Sequence, residues 1–396
     1  MPEQNIRALS SKKRVLMVHN FYQIDGGEHT VFYNELNLLR NHEHDVFEYT
    51  RSNNELKESK LKLFLSPISA IWSLKTYRDI KESIKKWKID IVHCHNTFPL
   101  ISPSVYYAAR KCGVPVVQTV HNFRFICPNG VLFCKGHICE LCREKRSFKD
   151  AIKNKCYRGS RIQTLIVVAM LKIHRAIGTY NRINYIFLTE FNKKKFKDFV
   201  DIDGSNVFVK PNFVDAKHSM VKKARKTKFI YAGRLEENKG ILSLIDMWGS
   251  LPENYELHIY GEGACREKVK EKICGRDNIT YFGLQERWRV AEDQIDSTAT
   301  IVPSECYETF GMAIPECFSN GIPVIATKLG NLRDMLEESK GGEVYEIGNT
   351  MSFQNAVEKV VNNYEEYANN AYLFYMKYLT SEENYKRLIE IYDKAR

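Results

Sequence analysis

The feature that most restricts this chain is a series of short, almost wholly apolar runs, each closed by a loop and followed by a helix-like segment. "RVLMVHN" (Arg14 to Asn20) passes through "FYQIDGG" into "EHTVFYNELNLLR", where Val31, Phe32, Leu36, Leu38 and Leu39 suit a helix packed on a sheet. "DVFEYT", "IDIVHCH" and "VPVVQTVHN" continue the series, with the helix-like "SPSVYYAARKCG" between the last two. A strand apolar at nearly every position is covered on both faces, as in a parallel sheet flanked by helices. A second series begins near Lys228: "KFIYAGRL", "YELHIYGEG", "NITYFG", "ATIVPS" and "IPVIAT" as strands, "ILSLIDMWGS" and "FGMAIPECFSNG" as helices. The predicted fold class is α/β with two doubly wound sheets, and 396 residues exceed what a single core usually fills. "VKPNFVDAKH" (Val209 to His218) is the expected hinge. Beyond about Glu343 the chain is expected to be helical, with the amphipathic "EENYKRLIEIYDKAR" packing back across the domain boundary. The expected domains are therefore 1–210, 211–378 and a returning helix at 379–396.

Charge separates the halves. Residues 1–210 carry +16 and residues 211–396 carry −5, which together give the net +11. A basic half suits an anionic membrane face, a pyrophosphate-linked lipid or nucleic acid. No signal peptide or spanning segment is read from the sequence, since the longest strongly apolar stretch, "LIVVAML" (Leu165 to Leu171), is far short of about 20 residues. The expected location is the cytoplasm, with the eleven cysteines as thiols or metal ligands.

The chemistry concentrates in "SECYETFGMAIPECFSNGIPVIAT" (Ser304 to Thr327), where Glu308 and Glu316 flank an apolar insert. Ligands of parallel sheets bind beyond the carboxyl ends of strands, near helix N-termini whose N–H groups favour anions. A helix is expected to begin near Phe310 to Met312, placing Glu308 in the loop before it and Glu316 about a turn inside. Two carboxylates around open amides of Thr309, Phe310 and Gly311 suit a ligand with both hydroxyls and phosphates. Such a ligand also needs cations. "YAGRLEENKG" supplies Arg234 and Lys239 around a tight loop after Gly233, placed to neutralise a departing pyrophosphate.

"GRLEENKG" and "ETFGMAIPE" together resemble the R-x(4)-K and E-x(7)-E signatures of the retaining GT-B glycosyltransferases of family four, and "DIVHCH" and "TVHN" resemble that family's N-terminal domain. The resemblance covers nearly the whole chain. It implies two Rossmann-like domains facing a cleft, a nucleotide-sugar donor (UDP- or GDP-linked), a glycan or lipid-linked acceptor of surface polysaccharide synthesis, and no required metal cofactor. By that analogy Arg234 and Lys239 hold the diphosphate, Glu308 and the amides of Phe310 and Gly311 hold the donor sugar, and Glu316 binds the ribose. Gly26 and Gly27 would let a loop approach the donor, and His121 would lie over the sugar, with His95 in a like environment. "KLGNLRDML" departs from the family's paired-glycine loop, keeping only Gly330. Pro315 is tolerable only within the first helical turn.

An insert at about 127–160 holds Cys127, Cys134, Cys139, Cys142 and Cys156. Cys127, Cys139, Cys142 and Cys156 could make a structural tetrahedral zinc site, with Cys134 or His137 as substitutes; packed thiols and redox chemistry are the other readings. The insert resembles one carried by a bacterial surface-polysaccharide branch of the family, which implies a role on the acceptor side. "RIQTLIVVAMLKIHRAIGTY" and "LKLFLSPISAIWSLKTYRDIKESIKKWK" mix apolar and basic residues in the manner of helices resting on an anionic membrane surface, which would make the protein peripheral at the inner face. Two other functions fit parts of the pattern: a GT-B sugar-nucleotide epimerase and a zinc-stabilised nucleic-acid-binding protein. The second calls for aromatics alternating with Lys or Arg on a strand face. None is present, so no nucleic-acid partner is expected.

Overall fold

The computed structural model describes residues 12–23, 26–56, 69–197, 199, 206–215 and 227–395. Leu61–Ile68 of the basic apolar stretch and Ala216–His218 of the expected hinge lie outside them. The chain forms two compact units, one of Met1–Gly130, Glu140–Asn212 and Asn384–Arg396, the other of Val131–Cys139 and Phe213–Glu383.

In the first unit β1 (Arg14–Phe21), β2 (Asp45–Ser52), β3 (Ile91–Asn96) and β4 (Val116–Val120) precede a short antiparallel hairpin of β5 (Phe133–Cys134) and β6 (His137–Ile138). The hairpin residues group with the second unit. β7 (Asn184–Phe187) and β8 (Val207–Val209) complete a sheet in the order β2-β1-β3-β4-β7-β8, parallel throughout. β3 and β4 are buried along their whole length, as continuous apolar runs require, whereas the edge strand β2 is half exposed. Val15 and Met17 of β1 pack with Phe32, Leu36 and Leu39 of helix Gly27–Asn41. Leu388, Ile389, Ile391 and Tyr392 of helix Ser381–Lys394 close the same core. A second cluster joins Phe98 and Phe148 to Val167, Val168, Met170 and Leu171 of helix Arg161–Ala176.

The second unit repeats the plan with β9 (Lys228–Ala232), β10 (Glu256–Tyr260), β11 (Ile279–Gly283), β12 (Ala299–Val302), β13 (Val324–Thr327) and β14 (Gly342–Tyr345). Their order is β11-β10-β9-β12-β13-β14, again parallel. Trp248 of helix Ile241–Trp248 is fully buried against Phe229 and Phe353; burying such side chains contributes on the order of 2–3 kcal/mol each. Both sheets are Rossmann-like. β7, β8 and β14 escaped the sequence pattern: they are three or four residues long, and β7 and β14 each include a polar residue. Among the described residues no helix is long and apolar enough to cross a membrane.

Candidate active site

The strand orders locate the site. β9 connects onward to β10 on one side and β12 to β13 on the other, so the crevice beyond the carboxyl ends of β9 and β12 is the topological switch point of the second sheet. Two loops meet there. Glu305 N–H donates to the Asn238 carbonyl at 3.0 Å, and Ser243 Oγ donates to Glu305 Oε1 at 2.5 Å. The approach is so close that a Cβ on Gly240, at φ +69°, would sit 1.9 Å from the Pro303 carbonyl oxygen. Glycine is the residue that fits this place.

This clasp brings Lys239 and Glu308 together, Nζ 2.5 Å from Oε1. Ser304 Oγ donates to the same Oε1 at 2.6 Å, and the Ser304 carbonyl is held in turn by Thr327 Oγ1 at 2.6 Å. Burial opposes both charges, but mutual attraction outweighs it. The Lys239 ammonium is held above its ordinary pKa and the Glu308 carboxyl below its own, with Ser304 and Arg234 also favouring the carboxylate. Arg234 is exposed, its Nη1 2.9 Å from Glu236 Oε1. Tyr231 OH fixes the loop by donating to the Arg234 carbonyl at 2.8 Å, passing beside Gly233, where a Cβ would stand 3.3 Å from that hydroxyl.

Past Glu308 the backbone turns with Gly311 at φ +79°, and a Cβ there would stand 3.0 Å from Leu332 Cδ2. The Phe310 ring is buried and its carbonyl accepts from Asn331 Nδ2 at 2.8 Å. Among the described residues the N–H groups of Phe310 and Gly311 have no intramolecular acceptor. The helix that follows is Ala313–Phe318, shorter and later than the sequence suggested, because Gly311 is left-handed and Met312 is the cap. Pro315 is its third residue, where a missing N–H costs nothing. Glu316 is the fourth residue of that helix. Solvent reaches it while protein crowds around it, and that burial raises its carboxyl pKa, with Arg287 opposing.

The first sheet has its own switch point, between β1 and β3. Asn96 Nδ2 crosses it to the Asn20 carbonyl at 2.7 Å and to Glu28 Oε1 at 3.3 Å. Burial, opposed by Arg124 and by Asn122 and Asn96, raises the Glu28 carboxyl to about 7. Gly26 has φ −139°, and a Cβ there would meet no atom within 4 Å, so the fold itself does not call for glycine at that position. Gly27 opens the following helix. His121 follows β4, buried, its Nε2 2.9 Å from His95 Nδ1. Glu28 and the His95 to His121 contact were not singled out from the sequence; the presence of histidines at the carboxyl ends of two neighbouring strands was the available signal.

The structure also places the cysteines of the insert. Among the described residues, the sets of three potential ligands within 4.8 Å of one another are His19, Glu28, His29 and Glu35, His93, His95, and neither contains a cysteine. Cys127 is instead buried with Sγ donating to Asn129 Oδ1 at 2.8 Å, and Cys142 packs on the Phe98 cluster. Cys139 and Cys156 are half-buried thiols. The insert is pinned by Glu140, which takes Arg143 at 2.6 Å and also Lys195. Neither histidine set is arranged for a cation. His29 Nε2 already accepts the Tyr22 N–H at 3.2 Å, and the Lys210 ammonium is 2.5 Å from Glu35.

The chain is similar to known proteins along both sheets. Residues 25–218 match the model of Glycosyltransferase Family 4, and residues 215–373 that of Glycosyl transferases group 1. A lipopolysaccharide 1,6-galactosyltransferase of Salmonella typhimurium is 27% identical over 146 residues, 35% of this chain and 41% of that protein. The match thus spans less than half of that relative. A lipopolysaccharide outer core galactosyltransferase, WaaB, in its apo form superposes with a TM-score of 0.64 at 18% identity, over 96% of this chain and 98% of the other. Anabaena HepE in complex with UDP has a TM-score of 0.64 at 14% identity, over 95% and 98% of the two chains. With the two domain models matched in succession on two Rossmann-like sheets, the chain belongs to the group 1 and family 4 type of GT-B glycosyltransferases.

Proposed function

We propose that the chain is a retaining glycosyltransferase that moves a sugar from a UDP-sugar to a glycan or lipid-linked acceptor in surface polysaccharide synthesis. The observation that carries this reading is the Lys239–Glu308–Ser304 clasp beside Arg234 and the two N–H groups of Phe310 and Gly311. Arg234 and Lys239 take the diphosphate, and the two N–H groups with Glu308 take the sugar. Glu316 takes the ribose, and His121 a hydroxyl of the transferred sugar. The acceptor oxygen bonds to the anomeric carbon on the face from which the diphosphate departs. The C–O bond to phosphate breaks, and the acceptor's proton passes to the departing phosphate oxygen while the two cations stabilise its charge. Gly26 leaves open a surface that a side chain would fill, which suits close approach of a ligand.

UDP-linked donors are favoured because HepE, of the same fold, is described with UDP. Thermal unfolding in the presence of UDP-, GDP- and ADP-sugars tests this. A UDP-sugar at about 100 times its Kd is expected to stabilise by about 2.7 kcal/mol. No shift with any of the three, together with no transfer product, refutes the reading.

The proposal extends to a peripheral position on the cytoplasmic face of a membrane. Helix Arg161–Ala176 and its cap expose Ile162, Leu165, Ile173 and Ile177 along one face, with Arg161 and Lys172 alongside. Sedimentation with vesicles containing anionic lipid is expected to carry down the wild-type protein. An Ile162→Asp/Ile173→Asp variant should remain mostly in solution; equal sedimentation of the two removes this face from the proposal.

A further inference from the structure

The proposed reaction needs an acceptor, and the residues assigned above hold only the donor. The first sheet has a second polar constellation at its own switch point. Glu28 stands in the first turn of helix Gly27–Asn41, Asn96 ends β3, and Asn122 and Arg124 follow β4. Tyr157 joins them from the insert, its ring centre 5.3 Å from the Arg124 guanidinium.

Backbone groups fix which way the two amides face. Asn96 Oδ1 accepts the Phe98 N–H at 3.0 Å, so its Nδ2 is the end that donates, to the Asn20 carbonyl at 2.7 Å and to Glu28 Oε1 at 3.3 Å. Asn122 Oδ1 accepts the Arg124 N–H at 3.0 Å, which leaves its NH2 group as the donor that favours the Glu28 carboxylate. Arg124 is not spent on Glu28. Its Nη1 donates to the Pro128 carbonyl at 2.9 Å, its guanidinium lies over the Phe98 ring at 4.8 Å, and among the described residues no ion-pair contact joins it to Glu28.

Glu28 is thus an acid held in place but poorly satisfied. Its bond from Asn96 is long for an N–H to oxygen contact, the side chain is half-buried, and burial raises the carboxyl to about 7 although Arg124, Asn122 and Asn96 favour its charge. Space is open beside it, since a Cβ on Gly26 would meet no atom within 4 Å. A carboxylate accepts, amide and guanidinium N–H groups donate, and neighbouring hydroxyls of a sugar ring do both. The same acid opposes a phosphate, so these residues do not suit the nucleotide end of a donor.

We propose that Glu28, Asn122 and Arg124 bind an uncharged sugar ring of the acceptor, Glu28 accepting from one hydroxyl while Asn122 and Arg124 donate to the next. The assignment rests on the transferase function proposed above, to which it adds the acceptor's chemistry and place.

Saturation-transfer NMR of the full chain with methyl glycosides of glucose, galactose, mannose and N-acetylglucosamine, each with UDP present, tests it. At least one glycoside is expected to receive saturation from the wild-type protein, and its apparent Kd to rise about 10-fold or more in Glu28→Ala, as for loss of a hydrogen bond to a charged group. Thermal stabilisation by UDP should be the same in both proteins. No saturation of any glycoside by the wild type overturns the proposal, as does an unchanged Kd in a folded Glu28→Ala variant. Loss of UDP stabilisation in that variant also overturns it, because Glu28 would then serve the donor. If Glu28→Ala does not fold, Glu28→Gln replaces it, keeping the size of the side chain without its charge, and the same readings decide. Glycoside binding that depends on Glu28 in a protein that no UDP-sugar stabilises would keep the sugar site and refute the transferase reading, so the two failures are distinguishable.

Discussion

Lys239→Ala is expected to lower kcat/KM for transfer by about 10²- to 10³-fold, the range for losing one preorganised group that meets charge developing in a transition state. Under the proposed mechanism the charge appears on the departing diphosphate, and Lys239 is the cation most firmly placed to meet it. Its ammonium is fixed against Glu308 before any donor arrives, so little reorganisation is needed during the reaction. The fold should survive the change. Lys239 and Glu308 retain 19% and 17% side-chain exposure, and Glu308 keeps Ser304, so the carboxylate left behind is neither dry nor alone. Steady-state transfer kinetics alongside far-ultraviolet circular dichroism distinguish the outcomes. A folded variant within threefold of wild-type kcat/KM would show that the diphosphate is held elsewhere. Arg234, more exposed and paired with Glu236, should show a smaller loss on truncation.

Lys210→Met should be the most destabilising of the variants considered. Removing one partner of a buried ion pair typically costs about 3–5 kcal/mol, because the remaining charge is stranded. Glu35 would then be fully buried facing His95 and His93 with no cation. Because the chain has two units, a single unfolding midpoint is ambiguous, and hydrogen exchange of β3 and β4 peptides isolates the first unit. Their protection should fall by the stated amount in Lys210→Met and return largely in Glu35→Leu/Lys210→Met, where the charge is gone. A loss below about 1 kcal/mol in the single variant would mean that the pair is not the closed, dry contact described.

Much of the architecture was legible because parallel strands advertise themselves. The strands within "IDIVHCH" and "VPVVQTV", Ile91–Asn96 and Val116–Val120, are buried along their whole length. The loop cations and acids were legible for a similar reason, since Arg234, Lys239 and Glu308 stand where strands end, and two of the three meet in one clasp. Glu316 could be placed in a helix from spacing, but the late start of that helix follows from a left-handed Gly311, which no periodicity announces. The cysteines left two readings open because a C-x-x-C looks the same whether its thiols bind a metal or pack a loop. Glu35 and Lys210 were invisible. They are separated by 175 residues, and a Glu on a helix or a Lys after a strand ordinarily faces water. Only tertiary packing could reveal that each is the other's reason for being buried.

The placement of helix Ser381–Lys394 bears on how the molecule is made. Leu388, Ile389, Ile391 and Tyr392 fill the core laid down by β1 and helix Gly27–Asn41, and Asn384 holds Lys210. A nascent chain that has released its first 212 residues from the ribosome still lacks the plug for that core. Its hydrophobic floor must wait, exposed or chaperoned, until some 170 further residues have been translated. Synthesis rate and chaperone supply, rather than the stability of the finished protein, would then govern how much of it matures.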